Sequence, residues 1–299
     1  MSNIIDEIKA SFKEGSSLTK LIYINIAVFV VVNLIDVFFY LFQLRGFSLV
    51  DILAVPDSFG ELIYKPWTII TYMFLHKDFF HILFNMLVLF WFGKIFLDYL
   101  NPKQLLSVYI LGGISGALVY ILAYNGIPVF ASLTIHSQAL GASASVMAVV
   151  FAISFYIPDN VLNLMFIGPV KLKYIALIYI VIDILSLAGD NAGGHFTHIG
   201  GALFGFIYIT QFKRGRNIAK GFDRILDNVF SIFSKRKPKM KVKYSDATYS
   251  HSQDINYNTN KVDEQDKINK ILEKISKSGY NSLSADEKAL LFKASSKQK

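Results

Sequence analysis

Six apolar runs of near-bilayer length constrain this chain more than any single residue does. They fall at Leu21–Leu44, Phe79–Leu97, Leu105–Tyr124, Leu140–Ile157, Tyr174–Ala188 and Phe196–Phe212. Inside hydrocarbon no water is present to satisfy backbone N–H and C=O groups, so each run has to close its own hydrogen bonds as a helix. The last two runs are short for a hydrocarbon core of ~30 Å and make sense as members of a packed bundle. Composition agrees: 53% of residues are hydrophobic, 17% are charged, and the mean hydropathy is +0.43. The expected fold class is all-α, a polytopic six-transmembrane-helix bundle followed by a soluble helical appendix.

Charge sets the organisation around that bundle. Lys9, Lys13 and Lys20 precede the first run, Lys94 and Lys103 lie between the second and third, and Lys171 and Lys173 lie between the fourth and fifth. The opposite loops hold only Arg45, Lys65 and Lys77, all in the first of them. The positive-inside rule then places both termini in the cytoplasm. The net charge of +8 is concentrated in Lys213–Lys243, whose eleven Lys and Arg face only Asp223 and Asp227. Directly after the last span, such a segment suits anionic lipid headgroups better than nucleic acid, the alternative for a basic tail. The expected organisation is an amphipathic cytoplasmic segment at 1–19, a membrane domain at 20–212 and a basic amphipathic juxtamembrane segment at 213–243. A flexible linker at 244–261 and a small helical region at 262–299 follow, broken at Gly279, with Ser284 and Glu287 as a capping box. No cleavable signal peptide is expected, because the first apolar run is too long for one. Cys is absent, so thiolate chemistry and disulfides are excluded.

Polar residues break the apolar pattern at one depth. In the assigned topology, runs two, four and six all enter from the outer face. Each carries polar groups in its first turns: His81 and Asn85, Ser143, and His198. Buried polar groups in lipid cost several kcal/mol unless partnered, so these groups are expected to face one another around a wet cavity. A serine hydroxyl needs a neighbouring base to become a nucleophile. From His198, Gly201 and Gly205 continue at i+3 and i+7 as a flat stripe. Run four offers Gly141, Ala142, Ala144 and Ser145 opposite it, so the two helices can approach closely enough for Ser143 to reach His198. His81 and Asn85, one turn apart, can join the Ser143 backbone N–H in holding an oxyanion.

The bland readings cover the other polar groups. Ser145 points about 200° away from Ser143 and is expected to serve packing. His195 is the rival base but lies outside the glycine register, and His76 is expected to be solvated or to line the cavity. Gly112, Gly113 and Gly116 read as packing residues. Asp36 and Asp183 are intramembrane acids, for which a structural role is expected. With no carboxylate evident behind His198, a Ser-His dyad is expected rather than a triad. A metal site among His76, His81, His195 and His198 is not expected, for want of an acidic ligand or an HExxH helix.

These residues resemble the rhomboid intramembrane serine proteases over about Lys20–Phe212. The resemblance rests on Trp67, His81-Ile-Leu-Phe-Asn85, Gly141-Ala-Ser143, and His198-Ile-Gly-Gly201 followed by Gly205. It implies Ser143 as nucleophile, His198 as its base, and His81 and Asn85 as part of the oxyanion site. It also implies hydrolysis of peptide bonds within or beside transmembrane segments of protein substrates, with no cofactor and no metal. Substrate entry from the lipid past run five and the loop Gly189–His195 is implied as well. Two positions depart from the family pattern: Ala144 stands where glycine usually follows the serine, and Thr68 where Arg commonly follows the Trp. The implied location is a bacterial inner (plasma) membrane, with the active site near the outer face. The competing function is a catalytically weak or inactive rhomboid-like protein that binds transmembrane segments. A transporter would favour a paired internal repeat or charged midplane sites, which the sequence does not show.

Overall fold

Each of the six apolar runs forms a helix, and three of these helices start at a side-chain cap. The computed structural model describes residues 4–44, 46, 48–132, 137–164, 167–189, 191–233, 267–279 and 282–296. An amphipathic helix α1 (Ile4–Glu14) leads into α2 (Ser17–Leu41), whose N-cap Ser16 accepts from the Thr19 N–H. The connection after α2 carries three short helices, α3 (Leu49–Leu53), α4 (Phe59–Tyr64) and α5 (Thr68–Thr71). Asp78 caps α6 (Phe79–Tyr99) by accepting from the His81 N–H at 2.9 Å. Asn101 and Gln104 form a reciprocal capping box on α7 (Pro102–Gly126), with Pro102 at the first helical position. After a short α8 (Pro128–Ala131) come α9 (Ser143–Tyr156), α10 (Leu172–Leu185) and α11 (Ala192–Lys213). By length and composition alone, α2, α6 and α7 can each cross a membrane.

The bundle is organised around α9, in which every residue from Ala144 to Ser154 is buried. A helix apolar on all sides belongs at the centre of its fold. It is enclosed chiefly by α11, α7 and α6. The contacts are backbone-close because small residues face one another. A methyl group added at Gly201 or Gly205 would strike the carbonyl of Ala144 or Ala148, respectively. On the other side of α9 the Ala144 and Ala148 methyls fill the space left by Gly116 and Gly112 of α7. The expected stripe on run six therefore does meet run four. Ala144, where the family pattern has glycine, directs its methyl at Gly116 rather than at run six. The outer helices α2 and α10 leave large apolar side chains exposed, Leu34 and Tyr40 on one and Ile182 and Leu185 on the other, as lipid-facing helices do.

Two small sheets lie in connections between the helices. Strand β1 (Val55–Pro56) pairs antiparallel with β2 (Gln138–Ala139), tying the α2–α6 connection to the segment before Ser143. Strands β3 (Val161–Leu164) and β4 (Gly168–Lys171) form a hairpin between α9 and α10. Beyond α11, the helix α12 (Lys220–Phe233) is anchored to the start of α7. Ser107 Oγ donates to Asp223 at 2.6 Å and Lys103 pairs with Asp227 at 2.6 Å. The two acids of the basic segment are thus both spent on α7, while Ile225 and Val229 stay exposed.

The chain divides into two units, Met1–Lys235 and Arg236–Lys299. In the second, helix α13 (267–278) stops before Gly279, whose φ of +77° breaks the helix, and α14 (Ala285–Ser296) follows. The expected capping box is present: Ser284 N–H donates to Glu287 at 2.7 Å and Glu287 N–H to Ser284 Oγ at 3.3 Å. The expected linker 244–261 lies outside the described residues.

Candidate active site

The turn before α9 is fixed by two backbone donors. Gly141 N–H donates to the Tyr72 carbonyl at 3.0 Å, and Ala142 N–H donates to His76 Nε2 at 3.4 Å. Gly141 has φ +126°, a conformation L side chains rarely adopt. A methyl there would also come within 2.8 Å of His81 Nε2 and 3.6 Å of Ser143 Oγ. The imidazole of His81 and the hydroxyl of Ser143 therefore flank one point in space. Because Ser143 opens α9, its N–H has no acceptor within the helix and sits at the positive end of the helix dipole.

His81 and Asn85 face this point from α6. Asn85 spends one N–H on the His81 carbonyl at 2.9 Å, which holds the amide in place and leaves its second N–H for a ligand. His198 approaches from the second turn of α11. A single cavity of ≈ 840 Å³ is lined by Ser143, His198, His81 and Asn85, together with Lys77, Tyr124, Gln138, Asn191 and Thr197. The four residues expected to form the site are thus brought together. No hydrogen bond joins Ser143 directly to His198 among the described residues. Such bonds often tighten only when substrate is bound.

Behind His198 the structure corrects the sequence reading. Asp183 Oδ1 lies 2.8 Å from His198 Nδ1 and 2.7 Å from His195 Nδ1, and the carboxyl group is buried. A carboxylate can only accept, so both rings present Nδ1–H to it, and His198 Nε2 is left as the free basic nitrogen. A carboxylate thus does lie behind the histidine, where none was expected. Asp183 and His198 are on different helices, 15 residues apart, and no sequence spacing announces their meeting. His195 is likewise not a loop residue, since α11 already begins at Ala192.

His76 is buried, 5% exposed, and accepts the Ala142 N–H instead of facing solvent. Burial, with His81 close by as a second cause, lowers its pKa from 6.5 to about 4. Neutral Nε2 is what Ala142 needs as an acceptor. Ser145 serves packing as expected, its hydroxyl 3.7 Å from Met73 Sδ. Thr68 is fully buried and closes a turn by donating to the Lys65 carbonyl at 2.6 Å, and Trp67 Nε1 donates to the Ile52 carbonyl at 2.8 Å. Both side chains shape the α2–α6 connection.

The Rhomboid domain family model matches residues 64–214, about half of the chain. The chain belongs to the rhomboid family. A 158-residue stretch of this rhomboid is 31% identical to RHOMBOID-like protein 12, mitochondrial, of Arabidopsis thaliana, covering 50% of this chain and 47% of that protein. It is 32% identical over 142 residues to the Presenilin-associated rhomboid-like protein, mitochondrial, of Mus musculus, covering 46% and 36%. The human protein of that name is 30% identical over 141 residues, covering 46% and 35%. The rhomboid thus spans half or less of the length of these relatives. It is an integral membrane protein. Their names are mitochondrial, so they lend no support to the expected bacterial inner membrane. A second family, of unknown function, matches residues 251–297.

Proposed function

We propose that this rhomboid is an intramembrane serine endopeptidase that cleaves transmembrane protein substrates within or next to their membrane segments. The observation that carries the reading is the convergence of Ser143, His198, His81 and Asn85 on one cavity. His198 Nε2 takes the proton of Ser143 Oγ as the oxygen attacks the scissile carbonyl. Charge develops on the carbonyl oxygen, where the Ser143 N–H, the free Asn85 N–H and the His81 ring can donate to it. His198 then passes its proton to the leaving amine, and water hydrolyses the acyl-serine ester by the same route. Asp183 is a positioning residue in this scheme: it holds His198 with Nε2 toward the cavity and stabilises the imidazolium formed during attack.

The membrane domain at 20–212 houses this chemistry. The basic segment 213–243 is proposed to rest on anionic headgroups, with the exposed Ile225 and Val229 of α12 entering the interface. No role for nucleic acid is proposed. A serine-reactive phosphonate tests the reading. The adduct is expected on Ser143 by mass spectrometry, with S143A and H198A both inactive on a model transmembrane substrate. Undiminished cleavage by either variant overturns the assignment. Absence of both labelling and cleavage in the unaltered protein favours a rhomboid-like protein that only binds transmembrane segments.

A further inference from the structure

The cluster behind the proposed base has a composition that orienting a single histidine does not require. Two imidazoles, i and i+3 on α11, aim Nδ1 at the same carboxylate oxygen of α10, at 2.7 and 2.8 Å. One donor atom from each of Asp183, His195 and His198 lies within 4.8 Å of the others. Asp183 is 4% exposed, and while Oδ1 takes both histidines, its buried Oδ2 has no hydrogen-bond partner. A buried carboxylate oxygen left unpaired is costly unless something else can use it.

We propose that Asp183, His195 and His198 form a site for a divalent transition-metal cation of the zinc type, and that its occupation switches the enzyme off. Two imidazoles and one carboxylate, with a fourth position open, are a ligand set suited to zinc and poorly suited to hard cations such as magnesium. Zinc bonds of about 2.0–2.2 Å in a tetrahedral set space the donor atoms by roughly 3.3–3.5 Å. The donor atoms already lie within 4.8 Å of one another, so side-chain rotation can bring them to that spacing, with the unspent Oδ2 available as the carboxylate ligand.

The consequence for His198 follows from tautomer chemistry. With Nδ1 bonded to the metal, the Nδ1 proton leaves and the neutral ring carries its one proton on Nε2. Nε2–H can donate but cannot accept the Ser143 proton, so the base is lost while the nucleophile is untouched. The cation sits on the far side of the imidazole from Ser143 and inhibits without touching substrate. This inhibitory half rests on the proposed protease reading; the binding half does not.

The test uses full-length S143A protein in detergent, which removes any dependence on cleavage. Zinc chloride is added and bound metal is counted by atomic emission after gel filtration, with magnesium chloride as the comparison. One zinc per chain and no retained magnesium is expected. Introducing H195N or D183N into S143A is expected to abolish zinc retention, while H76Q leaves it intact. Whichever double variant melts at the metal-free temperature of S143A counts as folded and decides the matter. Failure of S143A to retain zinc, or retention unchanged by H195N and D183N, overturns the site. In the cleavage assay of unaltered protein, zinc is expected to inhibit, chelator to restore activity, and H195N to resist inhibition. Zinc that binds without inhibiting overturns the switch. A protein that retains zinc but never cleaves separates failure of the protease reading from failure of the site.

Discussion

Asp183 Oδ1 stands 2.8 Å from His198 Nδ1, across the gap between α10 and α11. The two residues come from helices that pack quite differently. Of α10 only Leu172, Ala176 and Asp183 are buried, whereas α11 is wedged between α9 and α7. The orientation of the proposed base therefore depends on the helix with the smaller buried face.

Replacing Asp183 by Asn keeps the shape and removes the charge. The amide can now donate to Nδ1 and favour the tautomer with its proton on Nε2. Cleavage by D183N is expected to fall by roughly 10²–10⁴-fold, in kcat rather than KM, as when a triad carboxylate is neutralised. A purely structural Asp183 would instead lower the melting temperature and leave the kcat of the remaining folded protein intact. Single-turnover cleavage together with thermal unfolding separates the two.

The Asn85 amide is held by the His81 carbonyl at 2.9 Å and keeps one N–H for the cavity. Asn85→Ala removes that donor without removing nucleophile or base. The expected loss is about 10²–10³-fold in kcat, near 3–4 kcal/mol of transition-state stabilisation. Phosphonate labelling of Ser143 should persist, at a reduced rate. Unchanged kcat in the same membrane-substrate assay would remove Asn85 from the oxyanion site.

Much of this architecture was legible from residue type and spacing. The six helices, the Gly201–Gly205 stripe against α9, and the approach of His81, Asn85 and His198 to Ser143 all follow from apolar runs, charge asymmetry and matched depth. Lipid makes such signals strong, because every polar exception needs a partner. Asp183 was visible as an intramembrane acid, yet its partner was not, since the rotation of α10 about its axis is set by packing and not by its own sequence. The place of His76 was hidden for a similar reason: a loop histidine looks solvated until the Ala142 N–H is known to reach it. The hairpin β3–β4 has strands of only four residues, too short to show a period.

The tolerance of the helix contacts should be asymmetric. Gly201→Ala places a methyl against the Ala144 carbonyl, which is backbone and cannot rotate away. The two helices must separate, at an expected cost of about 1–3 kcal/mol for overpacking and with loss of cleavage. Ala144→Gly does the reverse: it deletes a fully buried methyl facing Gly116. That change is expected to cost ~1 kcal/mol and to retain activity. Thermal unfolding in detergent and cleavage by the two variants check the pair. Equal effects would contradict the close approach of α11 to the α9 backbone.

His76 gives the site an acid limit whose sign can be worked out. Its pKa falls from 6.5 in the unfolded chain to about 4 in the folded protein, chiefly through burial. Between those values the unfolded state binds a proton that the folded state does not, so stability drops as pH falls from 6.5 towards 4 and levels off below. A shift of this size corresponds to a loss on the order of 3 kcal/mol at the bottom of the window. Once protonated, Nε2 can no longer accept the Ala142 N–H, so the turn carrying Gly141 and Ser143 loosens. His76→Gln offers a carbonyl acceptor that does not titrate. Melting temperatures of the two proteins from pH 7 to pH 4 should diverge, with the unaltered protein falling more steeply and H76Q staying flatter. Parallel curves would mean that His76 does not carry the acid sensitivity of the fold.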